Sequence, residues 1–441
     1  MSGVGLAGAS IVFMFVLMAL RTPIAIAMFI SGSAAYVIQT GWAPYANFMN
    51  SMAFARFASY DLSVIPLFIL MGHFATQGGI SKALFGFTAA VVGRFRGGLA
   101  MAAVMASAAF GAICGSSVAT AATITGVALP EMKRHGYSGR LATGTLAVAG
   151  TLGILIPPSV PLVIYAILTE QNIAKLFLAA TLPGILAMFG YMIVIAFYVR
   201  LAPGHAPELE KDPPPFRWDS LWGVVPIAFV FGLVFGGIYG GYFSPTEGAG
   251  VGAGAALLAA IAKREMTWGK FIQSFLSTAE ATAMIFLIFI GADVLNSALA
   301  LTQIQTQLVQ IISGWHVSPI WIMVGIVVLH ILLGCVTEEL SIVLLTIPIF
   351  FPVVMSLDFG MAKEATALWF GILILMVISF GMIVPPMGLN VYVVNGMARN
   401  VPLSETFRGV LPFLISDFIR IGLMLAFPQL ALWLVQFMGT K

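Results

Sequence analysis

Two short segments interrupt long apolar runs with chemistry of their own: Gly153-Ile-Leu-Ile-Pro-Pro-Ser159 and Gly381-Met-Ile-Val-Pro-Pro-Met387. Proline lacks an amide hydrogen and its ring clashes with the preceding turn, so each Pro-Pro pair must break a helix. Upstream of each break lies a small polar island. The first is Gly111-Ala-Ile-Cys-Gly-Ser-Ser117 and the second is Gly334-Cys-Val-Thr-Glu-Glu-Leu-Ser341. A broken helix exposes amide hydrogens at one new end, which suit an anion. It exposes carbonyl oxygens at the other, which suit a small hard cation. Each island with the break that follows it could enclose one such cation, with the hydroxyls of Ser116, Ser117 or Thr337 as added ligands. The competing reading is that the Pro-Pro pairs only kink helices for packing. In a carbonyl-lined site, Gly153 and Gly381 matter through the tight turn or close backbone approach that glycine allows.

The elements that carry these segments are membrane helices. Of 441 residues, 60% are apolar and only 8% charged, and the mean hydropathy is +1.03. Soluble domains carry roughly 25% charged residues, whereas apolar runs long enough to span a ~30 Å hydrocarbon core recur along this chain. The expected surroundings are therefore a lipid bilayer. The net charge of +3 reflects Lys and Arg in loops, not an affinity for nucleic acid. Two cysteines make neither a disulfide framework nor a metal cluster. The N-terminus lacks a basic leader, so no cleaved signal peptide is expected. With 46 Gly and 23 Pro, many helices must be broken, as in transporters.

The charged, proline-rich stretch 202–220 reads as a cytoplasmic linker between two halves, 1–201 and 221–441. In the first half, the apolar run Gly97–Met132 would make a continuous helix of about 54 Å, too long for one span. Arg94 and Arg96 precede it, and Lys133, Arg134 and Arg140 follow it. Positive charge marks the cytoplasmic side, so the run reads as a re-entrant hairpin with its tip near Ser116. Two ordinary spans joined by a short polar turn are the alternative. The broken helix 141–168 follows. The second half repeats the order, with a hairpin over about 317–357 and a broken helix over about 365–398. Its hairpin flanks, His316 and Asp358–Glu364, contain one lysine and no arginine, and so read as periplasmic. A repeat with opposite flanking charge predicts an all-α, polytopic fold of two inverted-topology repeats.

The stretch RGGLAMAAVMASAAFGAICGSSVATAATITGVALPEMKRHGY from Arg96, followed by LGILIPPSVPLVIYA, resembles the large membrane subunit of tripartite ATP-independent periplasmic (TRAP) transporters, the DctM-like permease. So do IPLFILMG at Ile65–Gly72, SPTEGAGVGAGA at Ser244–Ala255, LLTIPIFFPVV and VPPMGLNVYVV. The resemblance covers nearly the whole chain. It implies an elevator-type ion-transporter fold, in which hairpins and broken helices move against a scaffold with two sodium ions bound. One sodium site is then similar to Ser116 or Ser117 with Gly153, Ile156 and Pro158. The other is similar to the Gly334–Thr337 tip with Gly381, Val384 and Met387. Ile156, Pro158, Val384 and Met387 would act through their carbonyls. The substrate, a small organic anion, is expected against Ser116, Ser117, Thr337, Glu338 and Asn390. The implied partners are a four-helix, DctQ-like small membrane subunit and a periplasmic substrate-binding protein. The implied location is the bacterial inner membrane. The sequence departs from the family pattern by having Ser379-Phe380 before the second break, where an acid is frequent. It also carries two acids, Glu338 and Glu339, at the second tip, where one is more usual.

The remaining polar residues read more plainly. Glu247, after Ser-Pro-Thr, is expected to cap a helix. Asp293 and Asp417 are expected near helix ends or paired with another helix, and His73 and His330 in helix packing. No Walker-type phosphate loop is present, and no nucleophile–base pattern suggests an enzyme. The expected function is import of a dicarboxylate, keto acid or sugar acid, coupled to sodium and dependent on a binding protein. A self-sufficient carrier of the same hairpin architecture is the alternative.

Overall fold

A computed structural model describes residues 3–207, 218–314 and 317–438, and every regular element among them is helical. The middle of the expected linker, 208–217, and the hairpin flank His316 lie outside the described residues. The chain opens with α1 (Gly3–Ala19), α2 (Ile24–Thr40), α3 (Trp42–Phe57), α4 (Val64–Gln77) and α5 (Ile80–Val92). The first hairpin is α6 (Gly98–Cys114) and α7 (Ser117–Arg134). The first broken helix is α8 (Gly139–Gly150), the short α9 (Leu152–Leu155) and α10 (Val160–Thr169), and α11 (Ile173–Leu201) closes the half.

After the linker come α12 (Trp218–Tyr239), α13 (Pro245–Ala262), α14 (Trp268–Leu301) and α15 (Ile304–Gly314). The second hairpin is α16 (Pro319–Gly334) and α17 (Glu339–Ser356). The second broken helix is α18 (Lys363–Gly381) and α19 (Leu389–Met397), followed by α20 (Leu403–Ala426) and α21 (Gln429–Met438). Among the described residues, six helical stretches are long and apolar enough to cross a membrane, and α3 and α4 form a further pair bent by 55°.

Local chemistry sets these boundaries. Gly115 ends α6 in the left-handed region (φ +65°), a conformation that costs glycine nothing. Ser116 then caps α7, its hydroxyl accepting from the Ala119 amide. Ser138 and Asn172 cap α8 and α11 in the same way. Ser244 and Glu247 form a reciprocal capping box at the start of α13, as the sequence suggests for Glu247. Both Pro-Pro bonds are cis.

The halves interlock. Each hairpin packs on the broken helix of its own half, α7 on α8 and α16 on α18. The segment beyond each break packs on the opposite hairpin, α10 on α17 and α19 on α7. Around this body, α2 lies along α14 and α4 along α13. Two ion pairs tie remote helices together. Arg56 on α3 grips Asp293 on α14 through both carboxylate oxygens at 2.5 and 2.6 Å, beneath the Phe289 ring. Inside, Asp417 accepts from Arg420 at 2.6 Å and from Tyr191 of α11 at 2.8 Å. His330 bridges the arms of the second hairpin, bonding to the Ile326 carbonyl and the Thr346 hydroxyl.

The opposite orientation expected of the two hairpins makes a direct prediction. Cysteines at Arg94 and Lys133, both exposed, should label only from the cytoplasm with an impermeant thiol reagent. Those at Ser318 and Lys363 should label only from the periplasm. The native Cys114 and Cys335 are buried and should stay silent. Opposite-side labelling within either pair contradicts the inverted layout.

Candidate functional site

The first hairpin tip meets the first break through glycine backbones. A Cβ on Gly111 would lie 2.7 Å from the Gly153 Cα, closer than real Cβ atoms come. A Cβ on Gly153 would lie 2.7 Å from both the Ser116 carbonyl oxygen and Thr120 Oγ1. A Cβ on Gly115 would stand 2.8 Å from the Pro158 carbonyl oxygen. Gly153 is helical and not left-handed. Of the two roles open to it, the structure uses close approach and not a turn.

This seam is lined with oxygen. Thr120 Oγ1 and Ser159 Oγ are buried without a hydrogen-bond partner among the described residues. An orphaned buried hydroxyl costs roughly 1–3 kcal/mol, and a bound cation would recover that cost. The Ser116 and Pro158 carbonyls and the Thr120 hydroxyl are neutral oxygen donors of the kind that hold a small alkali cation at an unwound helix. The residues present therefore fit a monovalent cation at the first tip.

The second tip repeats the backbone contact. A Cβ on Gly381 would lie 2.5 Å from the Gly334 Cα, and one on Gly334 2.9 Å from the Gly381 Cα. Its surroundings differ from those of the first. Residues around Pro157 and Pro158 are buried, whereas Pro385 to Met387 are exposed, Met387 at 54%. The Thr337 hydroxyl donates to the Leu333 carbonyl, and the Glu338 carboxylate accepts from Ser341.

Between the tips and helices α4 and α14 lies a cavity of about 530 Å³. Its polar lining includes His73 and Thr76 on α4, Ser277 and Glu280 on α14, Ser116 and Thr123 of the first hairpin, and Glu338 and Glu339 at the second tip. No Lys or Arg lines it. A Cβ on Gly72 of α4 would lie 3.0 Å from the Cys114 Cα, so the scaffold closes tightly on the first tip.

The other residues singled out in the sequence are distributed as follows. Ser116 and Glu338 face the cavity. Ser117 and Asn390 are fully buried and do not line it. The Asn390 side-chain amide donates to the Ser117 hydroxyl at 2.6 Å and to the Ala147 carbonyl at 3.2 Å, joining the second broken helix to the first hairpin. Ile156 turns its side chain toward Gly184 on α11. Thr120, His73 and Glu280 were not anticipated as site residues, and Glu339 was singled out only as the second acid at the tip. Thr120 could have been found as the residue one helical turn after Ser116. His73 and Glu280 come from scaffold helices that carry no break to mark them.

Similarity now bears on this geometry. Residues 11–430 match the family described as tripartite ATP-independent periplasmic transporter, DctM component. The chain belongs to that family. It is 32% identical over 388 residues to the C4-dicarboxylate TRAP transporter large permease protein DctM of Pseudomonas aeruginosa, covering 87% of this chain and 88% of that one. It is 29% identical over 401 residues to the sialic acid TRAP transporter large permease protein SiaM of Vibrio cholerae, covering 89% and 90%. The fold is similar to that of the Alcanivorax borkumensis YdaH transporter. The TM-score is 0.65 at 13% identity, over 94% of this chain and 97% of that one. This DctM-family chain is thus a transporter permease subunit and not an enzyme, multi-pass in the bacterial inner membrane.

The glycine seams predict a specific pattern of stability. Gly153→Ala and Gly381→Ala should each destabilise the purified chain by about 1–3 kcal/mol, the usual cost of overpacking. Gly86→Ala, where a Cβ meets nothing within 4 Å, should be neutral or slightly stabilising. Thermal denaturation in detergent measures all three. Equal melting temperatures across the set would mean the seams are not close-packed.

Proposed function

We propose that this chain is the permease of a sodium-coupled, binding-protein-dependent importer of a small organic acid, working by an elevator movement. The observation that carries the proposal is the repeated Gly-Gly seam between hairpin tip and helix break, with both tips facing one cavity. Oxygen donors at the first seam suit sodium. The second seam, with its exposed Pro385–Met387 turn, is the counterpart through which a second ion would enter. Two hairpins packed on two broken helices form a cross-braced body, and α4 and α14 line the opposite wall of the cavity. Sliding of that body past the scaffold would carry the cavity contents from one side to the other without unwinding either tip.

The halves are read as inverted repeats, so the same movement opens the two tips to opposite sides. The names of relatives, for C4-dicarboxylates and for sialic acid, support a small organic acid as the substrate. By the same relationship, a small membrane subunit and a periplasmic binding protein complete the system.

Reconstituted alone in liposomes with an inward sodium gradient, the chain should not accumulate substrate. Adding the small subunit and the loaded binding protein should restore uptake, and dissipating the sodium gradient should abolish it. Robust uptake by the isolated chain would instead identify a self-sufficient carrier. Uptake by the full system that ignores the sodium gradient would refute the coupling.

A further inference from the structure

The two tips are alike in backbone and opposite in charge. Helix α7 begins at the first tip with no acidic residue in its first turn, so the positive end of its dipole faces the cavity uncompensated. The Ser116 hydroxyl accepts from the Ala119 amide and keeps its own hydrogen for a ligand. Helix α17 begins at the second tip with Glu338 as its cap and Glu339 in its first turn. Glu280 adds a third carboxylate to the lining from α14. Glu339 is only 8% exposed. Its Oε2, in the cavity wall, has no hydrogen-bond partner among the described residues.

A carboxylate held that far from water needs a cationic or donor partner; no Lys or Arg lines the cavity, and the His73 imidazole and the hydroxyls that do line it leave Glu339 Oε2 without a hydrogen bond. A substrate carrying only carboxylates would find one favourable end, two like charges at the second tip and a third elsewhere in the same lining. A substrate with one carboxylate and one protonated nitrogen would match both ends.

We propose that the cavity takes a zwitterionic organic acid. Its carboxylate lies against Ser116 and the start of α7, and its protonated nitrogen lies among Glu338, Glu339 and Glu280. This deepens the transport reading and rests on it, since it assigns the substrate class of the same cavity. Glu339 is the residue that sets the preference, and Glu280 supports it from the scaffold side.

Matched probes test the assignment. The purified full-length chain in lipid nanodiscs is titrated with succinate and with γ-aminobutyrate, in which an aminomethyl group replaces one carboxylate. A second pair is pyruvate and L-alanine. Sodium alone is titrated first, and its stabilising effect reports on the cation seams independently of any organic ligand. With sodium present, each amino compound should bind at least about tenfold more tightly than its partner, a difference of about 1.4 kcal/mol. Glu339→Gln should erase that preference while leaving stabilisation by sodium alone unchanged. Glu280→Gln, at an exposed position that does not threaten folding, should reduce the preference. Equal or tighter binding of succinate and pyruvate overturns the proposal, as does a lack of binding by every probe. A Glu339→Gln variant that shifts the sodium titration and not the probe preference also overturns it, assigning the carboxylate to an ion site. If sodium alone does not stabilise the wild-type chain, the sodium reading fails and the probe preference still decides the substrate class.

Discussion

Close approach of bare backbones at two places, Gly111 against Gly153 and Gly334 against Gly381, is the constraint on which the rest of the structure depends. Without side chains between them, the tip of each hairpin can sit directly on the break of the neighbouring helix. The polar groups freed by the break then face another polar backbone and not lipid. Unwound chain inside a membrane is tolerated only where protein or a wet cavity covers it. The first seam supplies that cover, and with it carbonyl and hydroxyl oxygens deep in an apolar protein, whereas Pro385 to Met387 at the second stay exposed.

The packing around the seams follows from them. A tip fixed on its own break leaves the segment beyond the break free to reach the other half, and both halves use this. Helix α10 lies on α17 and α19 on α7, with Asn390 locking onto the Ser117 hydroxyl at the second crossing. The result is one body assembled from both halves. The buried Tyr191–Asp417–Arg420 cluster sits beside that body, and the Tyr191 hydroxyl lies 3.3 Å from that of Thr151, just ahead of the first break. On the scaffold side, the Arg56–Asp293 pair secures the bent α3–α4 segment to α14. Helices α4 and α14, which carry His73 and Glu280 of the cavity wall, also pack on each other.

Much of this was legible in the sequence, because the signals were local. Pro-Pro pairs announce breaks wherever they occur in an apolar helix. Polar islands with serine and glycine announce tips, and α6 through α10 begin and end within a few residues of where those signals put them. The Ser244–Glu247 capping box was foreseeable for the same reason, whereas Arg56, far away in the chain, was not marked as the partner of Asp293. What the sequence could not convey was which remote segments meet. Nothing near Asn390 indicates that it will bond to Ser117 and leave the cavity. Thr120 becomes a site residue only because Gly153 faces it. The acidic lining of the cavity joins two separate stretches of chain, α14 and the start of α17, and only the tertiary fold reveals its one-sided charge. Gly153 and Gly381 were flagged for either of two properties, and the fold uses only one of them.

The central claim is that the first seam binds the ion that drives transport, and Thr120 is its most direct test. Its hydroxyl is buried and unpartnered at the seam, and Thr120→Val removes the oxygen while keeping the branched shape. The measurement is the sodium concentration for half-maximal uptake by the reconstituted complex, with Gly86→Ala as control. Loss of one ligand worth about 1–3 kcal/mol should raise that concentration roughly tenfold to hundredfold. A well-folded Thr120→Val variant with wild-type sodium dependence would contradict the account, leaving the seam a packing contact and the ion bound elsewhere.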